Sequence, residues 1–224
     1  MTALSIIVPV LDEAAGIVAT LQALAPLRAA GHEVIVVDGG SRDATTALAA
    51  PLADAVLASE RGRARQMNTG AAAAQGDVLL FLHADTQLPP QADVRLLQAV
   101  AQGARWGRFD VRISGRSRWL PVVARLMNGR SRLTGIATGD QGIFVRADLF
   151  RQLGGFAAQP LMEDIELCRR LRRNSRPACL RERVLTSGRR WETRGVWRTI
   201  VLMWRLRWRY WRGEAPEVLA RAYR

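Results

Sequence analysis

The sequence predicts a single α/β domain built on a mostly parallel central sheet, and three observations carry that reading. Short runs of β-branched and aliphatic residues alternate with alanine-rich helical stretches through the first half of the chain. Those runs are apolar throughout, as strands are when helices cover both faces of their sheet. The length, 224 residues with 49% hydrophobic and 24% charged content, suits one core with a modest C-terminal extension.

Residues 5–10 form the first strand, followed by a helix over 14–30 that Gly31 stops. Near-continuous Val and Ile make Glu33–Asp38 the second strand. Gly39-Gly40 then turns the chain, and Ser41 or Asp43 caps a helix running toward Ala50. Ala55–Ala58 is a short third strand, 63–74 a helix ended at Gly76, and 78–82 a fourth strand. This repeat gives a Rossmann-like half-sheet, in which ligands bind beyond the carboxyl ends of the strands. The second half changes character. Residues 89–103 predict a helix, 108–113 alternate as an antiparallel or edge strand does, 117–133 are helical and basic, 141–145 form a strand and 162–173 a helix. No repeat, low-complexity tract or linker divides residues 1–192, and 193–224 form a basic, Trp-rich helical tail.

The charge is unusual: 33 basic residues against 20 acidic ones give +13, and every basic residue is arginine. Genomic base composition accounts for arginine in place of lysine. The excess itself suits phosphate-bearing small molecules, an anionic membrane surface or a nucleic acid. Cys168 and Cys179 have no metal-ligand spacing, which predicts reduced, inert core thiols. The apolar N-terminus runs straight into Asp12-Glu13, too short for a membrane span and without the flanks of a signal peptide; it reads as a buried strand of a cytoplasmic protein.

Acidic residues fall where the fold rule places chemistry. Asp12-Glu13 follows the first strand, Asp38 ends the second, Asp85 lies just past the fourth, and Glu163-Asp164 opens a helix. Singly, each is also a turn former or helix cap. As a set in a basic chain, they are suited to a metal ion or sugar hydroxyls.

Five stretches carry a resemblance. Val8-Pro9-Val10-Leu11-Asp12-Glu13, Val36-Val37-Asp38-Gly39-Gly40-Ser41-Arg42-Asp43, Gly76-Asp77-Val78-Leu79-Leu80-Phe81-Leu82-His83-Ala84-Asp85, Phe150-Arg151-Gln152-Leu153-Gly154-Gly155-Phe156 and Glu163-Asp164-Ile165-Glu166-Leu167 occur in this order over about residues 4–192. The chain thereby resembles family 2 glycosyltransferases of the GT-A fold. It is most similar to small bacterial members with a His-Ala-Asp metal motif, some of them assigned to arsenosugar biosynthesis. The resemblance implies transfer of a sugar from a nucleotide-sugar donor, a UDP-sugar favoured, to an acceptor hydroxyl on a small or lipid-linked molecule.

It also implies roles. Asp38 would bond the pyrimidine ring, with Pro9, Leu11 and Glu13 lining the base and ribose pocket. Asp85 would bind Mg²⁺ or Mn²⁺, which neutralises the diphosphate leaving group. His83 stands where the family often has an acid; it either lines the site or packs behind it. Asp164 would be the general base, with Glu163 beside it, in a single inverting displacement. In 61–68, Arg65 would face the nucleotide, the alternative being a solvated basic face. Ser187-Gly188-Arg189-Arg190-Trp191 is similar to the Q-x-x-R-W motif of processive members, with Ser187 in place of Gln; Arg190 would contact diphosphate and Trp191 the acceptor.

In the tail, Trp197, Ile200, Val201, Trp204, Trp208 and Trp211 recur at helical spacing, flanked by Arg198, Arg205, Arg209 and Arg212. Such a helix either lies in the interface of an anionic membrane, on its cytoplasmic face, or packs its aromatic face on the domain or a second subunit. Two rival classes fit less well. A nucleotidyltransferase would carry a Gly-rich basic loop after the first strand, where this chain has Leu11-Asp12-Glu13. A nucleic-acid-binding module would leave the strand-end carboxylates facing phosphates.

Overall fold

The computed structural model describes residues 2–223. Within them the chain forms an eight-stranded sheet of order β3-β2-β1-β4-β7-β6-β8-β5. The strands are β1 (Leu4–Val10), β2 (Glu33–Asp38), β3 (Ala55–Ala58), β4 (Val78–Phe81), β5 (Thr86–Gln87), β6 (Trp106–Ser114), β7 (Ile143–Arg146) and β8 (Ala178–Ser187). β3, β2, β1 and β4 pair in parallel, as do β6 and β8; β7 and the two-residue β5 run against their neighbours. The carboxyl ends of β1, β2, β4, β6 and β8 therefore share one edge.

The helices sort by face. Leu4, Ile6, Val8 and Val10 of β1 meet α1 (Ile17–Ala29), α2 (Thr45–Ala49), α4 (Ala92–Ala101) and α5 (Leu120–Thr134) on one side. Ile7 with Ile35 and Val37 meets α3 (Arg63–Ala73), α6 (Ala147–Gln152) and α7 (Glu163–Asn174) on the other. Burial of both faces explains why β1 is apolar without alternation: all seven of its residues are buried. α3 approaches closely because Gly70 faces the sheet. A β-carbon there would lie 2.5 Å from Cγ2 of Ile7. A third cluster joins α9 (Val196–Trp211) and α10 (Pro216–Tyr223) to the start of α7 through Leu206, Leu219, Leu161, Met162 and Ile165.

Several expectations need correction. The first helix begins at Ile17, not 14, because the Ala14 N–H is held by Asp43 at 3.0 Å and Glu13 O accepts from Gly16 and Ile17 in a turn. β6 is antiparallel to β7 as its alternation suggests, but it is no edge strand, since β8 covers its other side. β8 itself escapes a sequence reading. Its register jumps from Phe109↔Leu180 to Asp110↔Arg183, so Arg181 and Glu182 bulge out and break the alternation. The helix α8 (Arg189–Arg194) likewise has no apolar periodicity of its own, and the expected helical tail divides into α9 and α10.

β6 carries a buried ion cluster that fixes α5. Asp110 pairs with the almost fully buried Arg108 and, at 2.8 Å, with Arg132 of α5. Asn128 of α5 accepts from Val111 N at 2.8 Å and donates to Val111 O at 3.0 Å. Removing the shared carboxylate strands a buried guanidinium, so Asp110→Ala is expected to cost about 3–5 kcal/mol in urea unfolding.

Candidate active site

The loops after β1 and β2 are tied together at the common edge. Asp38 accepts from Gly40 N at 3.0 Å, Ser41 N at 3.0 Å and Ser41 Oγ at 2.5 Å. Ser41 Oγ in turn accepts from Asp12 N at 2.9 Å, and Asp12 Oδ1 accepts from Arg42 N at 2.8 Å. Thr45 Oγ1 accepts from Glu13 N at 2.8 Å. Gln66 of α3 donates to the carbonyls of Val10 and Val37, at 2.7 and 2.8 Å, closing the bases of both loops. Asp38 is thus the turn former that its position suggests, buried and with its oxygens largely engaged.

Beside these loops lies a cavity of about 730 Å³. Pro9, Glu13, His83, Asp85, Arg190 and Trp191 line it, six of the residues expected at the site. Leu11, Asp38, Arg65, Glu163 and Asp164 do not form its wall. Arg65 is more than half exposed and pairs with Glu60, while Arg63, two positions back, faces the cavity. The helix phase decides between the two: residues two apart point in different directions.

Sequence reasoning missed Asp140 and Arg130. Asp140 sits in a 3-10 turn (Gly139–Gln141) before β7 and faces the cavity. Its Oδ1 lies 3.2 Å from Nδ1 of His83. His83 both lines the cavity and packs against the turn, since a β-carbon on Gly139 would fall 2.4 Å from Nε2 of His83. A carboxylate therefore does stand beside the His-Ala-Asp segment, delivered by a distant turn. The signal was Gly139-Asp140-Gln141, a turn-forming triplet at the start of a strand.

The electrostatics separate these acids. Burial raises the Asp140 carboxyl, but the hydrogen bond and charge of His83, with Arg63 and Arg190, outweigh it and hold the group below its ordinary value. Asp164 goes the other way: burial, then the charge of Glu163, pushes it up to about 6, against hydrogen bonds from Gly139 N at 3.0 Å and Ile165 N at 2.7 Å. Asp164 thus grips the same turn that presents Asp140. Glu13 is raised by burial, with Arg189 opposing and the charges of Asp85 and Asp43 adding to the rise. Arg190 is lowered by burial and the nearby Arg63; it donates to the Tyr223 hydroxyl and lies over that ring. Cys168 is buried and its thiol is pushed up to about 12 by burial, an inert core group, while Cys179 is half-buried on β8.

A Mg²⁺ or Mn²⁺ ion fits this chemistry. Asp85 is exposed to the cavity, with only a long 3.4 Å contact from Thr86 Oγ1, and its charge meets that of Glu13 there. Hard carboxylate oxygens suit either cation. Among the described residues no three His, Cys, Asp or Glu side chains converge on one point. One carboxylate with substrate phosphates is a usual arrangement for magnesium.

Comparison with known proteins gives concordant results. The profile of glycosyl transferase family 2 matches residues 5–153. The chain is 29% identical over 160 residues to the undecaprenyl-phosphate 4-deoxy-4-formamido-L-arabinose transferase of Aeromonas hydrophila, covering 64% of this chain and 48% of that one. It is 32% identical over 160 residues to the enzyme of the same name from Pseudomonas paraeruginosa, covering 64% and 46%. The chain thus spans about half the length of the curated relatives it matches. Among solved structures, TarS of S. aureus superposes with a TM-score of 0.67 at 17% identity, over 83% of this chain and 60% of that one. Glucosyl-3-phosphoglycerate synthase from Mycobacterium tuberculosis, in complex with Mn²⁺, UDP and glucosyl-3-phosphoglycerate, superposes with a TM-score of 0.62 at 22% identity, over 81% and 70%. These likenesses show the fold, GT-A.

The raised Asp164 carboxyl has a stability consequence. The folded chain holds this proton more tightly than the unfolded chain, so stability falls as pH rises from about 4, the ordinary carboxylate value, to about 6. Asp164→Asn is therefore expected to melt higher than wild type at pH 8, and the difference should vanish below pH 4 in thermal unfolding.

Proposed function

The chain belongs to glycosyl transferase family 2, and from that premise we propose that it transfers a sugar from a nucleotide-diphosphate donor, with inversion, to an acceptor held in the cavity. The observation that carries this reading is the opposition, in one cavity at the carboxyl edge of the sheet, of Asp85 and Glu13 to Arg63, Arg189 and Arg190. Carboxylate and guanidinium groups together suit a metal-bound diphosphate. A divalent ion, held by Asp85, supplies charge neutralisation of the leaving group when bound. The chain's own groups do the rest. Arg190 and Arg63 bind phosphate oxygens, and Pro9, Leu11 and Asp38 border the base at the ends of β1 and β2. Trp191 offers an indole face to the acceptor. UDP is the favoured nucleotide, following the UDP in the mycobacterial complex.

Asp164 is the proposed general base, supported by its raised carboxyl. A second reading has its own support: Asp140 faces the cavity, whereas Asp164 lies behind Gly139. The pH profile separates them. With Asp164 as base, the rate falls as pH drops through about 6. With Asp140, held below its ordinary value, the rate stays level to pH 5. Asp164→Asn and Asp140→Asn, compared in donor hydrolysis and transfer assays, should differ in turnover by about 10²–10⁴-fold in favour of the variant that keeps the base. Asp85→Ala is expected to abolish the response of UDP binding to Mn²⁺ in calorimetry, and preserved Mn²⁺ dependence would remove Asp85 from its role.

We further propose that this transfer takes place at an anionic membrane surface. No described helix is long and apolar enough to cross a membrane. Yet Trp197, Val201, Trp204, Trp208 and Trp211 of α9 are all more than half exposed, forming one stripe, while Leu206 on the opposite face packs on the domain. α5 adds Val122, Leu126 and Leu133, also exposed, with Trp119 just before its start, and the Trp119 and Trp197 ring centroids lie 4.9 Å apart. Aromatic stripes with arginines beside them suit the headgroup boundary. Full-length protein should co-sediment with phosphatidylglycerol vesicles at low salt, and Trp204→Ser with Trp208→Ser should release most of it. Recovery of wild type entirely in the supernatant would exclude the membrane reading.

A further inference from the structure

A buried guanidinium is costly unless an anion accompanies it, and the fold elsewhere obeys that rule. Arg108 has Asp110, although its Nε too is buried without a hydrogen-bond partner, and Arg170 has Glu166 together with the carbonyls of Leu153 and Gly155. On the cavity wall two arginines break it. Nη2 of Arg130 and Nε of Arg207 are buried without any hydrogen-bond partner, and no carboxylate lies in ion-pair contact with either side chain among the described residues. They come from two different helices, α5 and α9, and line the same cavity.

Part of the wall they share is apolar. Leu126 and Met127 of α5 and Ile200, Met203 and Trp204 of α9 line the cavity with them. Leu126 and Trp204 are also members of the exposed stripes, so the cavity opens onto the apolar outer face. The arginines that act on Glu13 and Asp85 are others: Arg63 and Arg189 reach Glu13, and Asp85 reaches Arg190. The carboxylate whose charge acts on Arg130 is Asp164, from α7. Arg130 and Arg207 are thus two further cations of the cavity wall, not among the arginines that act on Glu13 and Asp85.

We propose that Arg130 and Arg207 form a phosphate subsite for the acceptor, and that this acceptor carries its phosphate on an apolar body lying along α5 and α9. Two planar forks from separate helices can share the oxygens of one phosphate and supply the hydrogen bonds that the buried nitrogens lack. A long ammonium would not replace them, having no fork. Residues of both helices then bind the apolar body as it leaves the cavity toward the exposed tryptophans. This inference rests on the transferase reading for its meaning, but the binding site stands on the geometry alone.

The test uses the full chain and three probes: farnesyl phosphate below its micellar concentration, farnesol, and inorganic phosphate. Tryptophan fluorescence should titrate saturably with farnesyl phosphate, at least about tenfold tighter than with either of the others. Loss of one charged hydrogen-bonding group corresponds to roughly tenfold or more in affinity, so Arg130→Gln and Arg207→Gln should each weaken farnesyl phosphate by that factor. UDP–Mn²⁺ affinity, measured by calorimetry on the same samples, should stay within about twofold of wild type, a change well below one such bond. Equal binding of farnesol, equal binding of inorganic phosphate, or unchanged affinity in both variants would each overturn the proposal. Should Arg130→Gln not fold, Arg207→Gln and the wild-type probe comparison still decide it. A chain that binds farnesyl phosphate but no UDP would support the subsite and count against the transferase reading, so the two fail separately.

Discussion

A buried chain of polar contacts running from β6 through α5 to the turn Gly139–Gln141 positions Asp140, Asp164 and His83 relative to one another. Asn128 clasps the backbone of Val111 with both ends of its amide and is approached by Gln141 Nε2 at 3.4 Å. Gln141 also donates to Ser131 Oγ at 3.1 Å and accepts from Thr138 N at 3.2 Å. Asp164 takes the Gly139 N–H, and Asp140 meets His83 from the β4 loop. Four elements, β6, α5, α7 and the loop after β4, thus meet at one turn. In a low-dielectric interior each of these bonds is strong when made and costly when missing, so the turn has little freedom to drift. That rigidity lets a carboxylate from the middle of the chain stand beside the His-Ala-Asp segment.

The same turn produces two carboxylates of opposite character. Asp140 looks outward to His83 and arginines and stays ionised; Asp164 looks inward, behind Gly139, and is pushed toward neutrality. Charges of opposite tendency a few bonds apart are a common arrangement where proton transfer is managed. The arginine excess noted in the composition is partly spent here. Six arginines and three carboxylates line the cavity, a balance suited to ligands that bring their own negative charge.

The C-terminal helices enlarge the cavity rather than merely following it. α9 packs Leu206 on the start of α7 and turns Ile200, Met203 and Arg207 into the cavity, while its tryptophans remain outside. The helix therefore has two apolar faces, one packed on the domain and one of exposed aromatic rings that a soluble core leaves uncovered. Joined to the exposed face of α5 through Trp119, it makes the outer rim of the site apolar and cationic at once.

Local pattern was enough to read the parallel half of the sheet, because strands covered on both faces must be continuously apolar and the helices between them amphipathic or small. It was enough, too, for the strand-end positions of Glu13 and Asp85, since a parallel sheet delivers those ends to one edge. Local pattern also located the tryptophan stripe of α9, a property of helical spacing alone. Tertiary structure decided the rest. Helix phase selected Arg63 over Arg65 for the cavity, a distinction two residues wide. The bulge in β8 hid a ten-residue strand, because its alternation is interrupted where Arg181 and Glu182 leave the ladder. Asp140 and Arg130 could not be singled out beforehand: the triplet Gly139-Asp140-Gln141 marks only a turn, and nothing in the neighbours of Arg130 distinguishes it from a surface charge. Their meaning comes from what lies across space, His83 for one and, for the other, a cavity wall on which a guanidinium nitrogen is buried without a hydrogen-bond partner, and such surroundings exist only once the chain has closed.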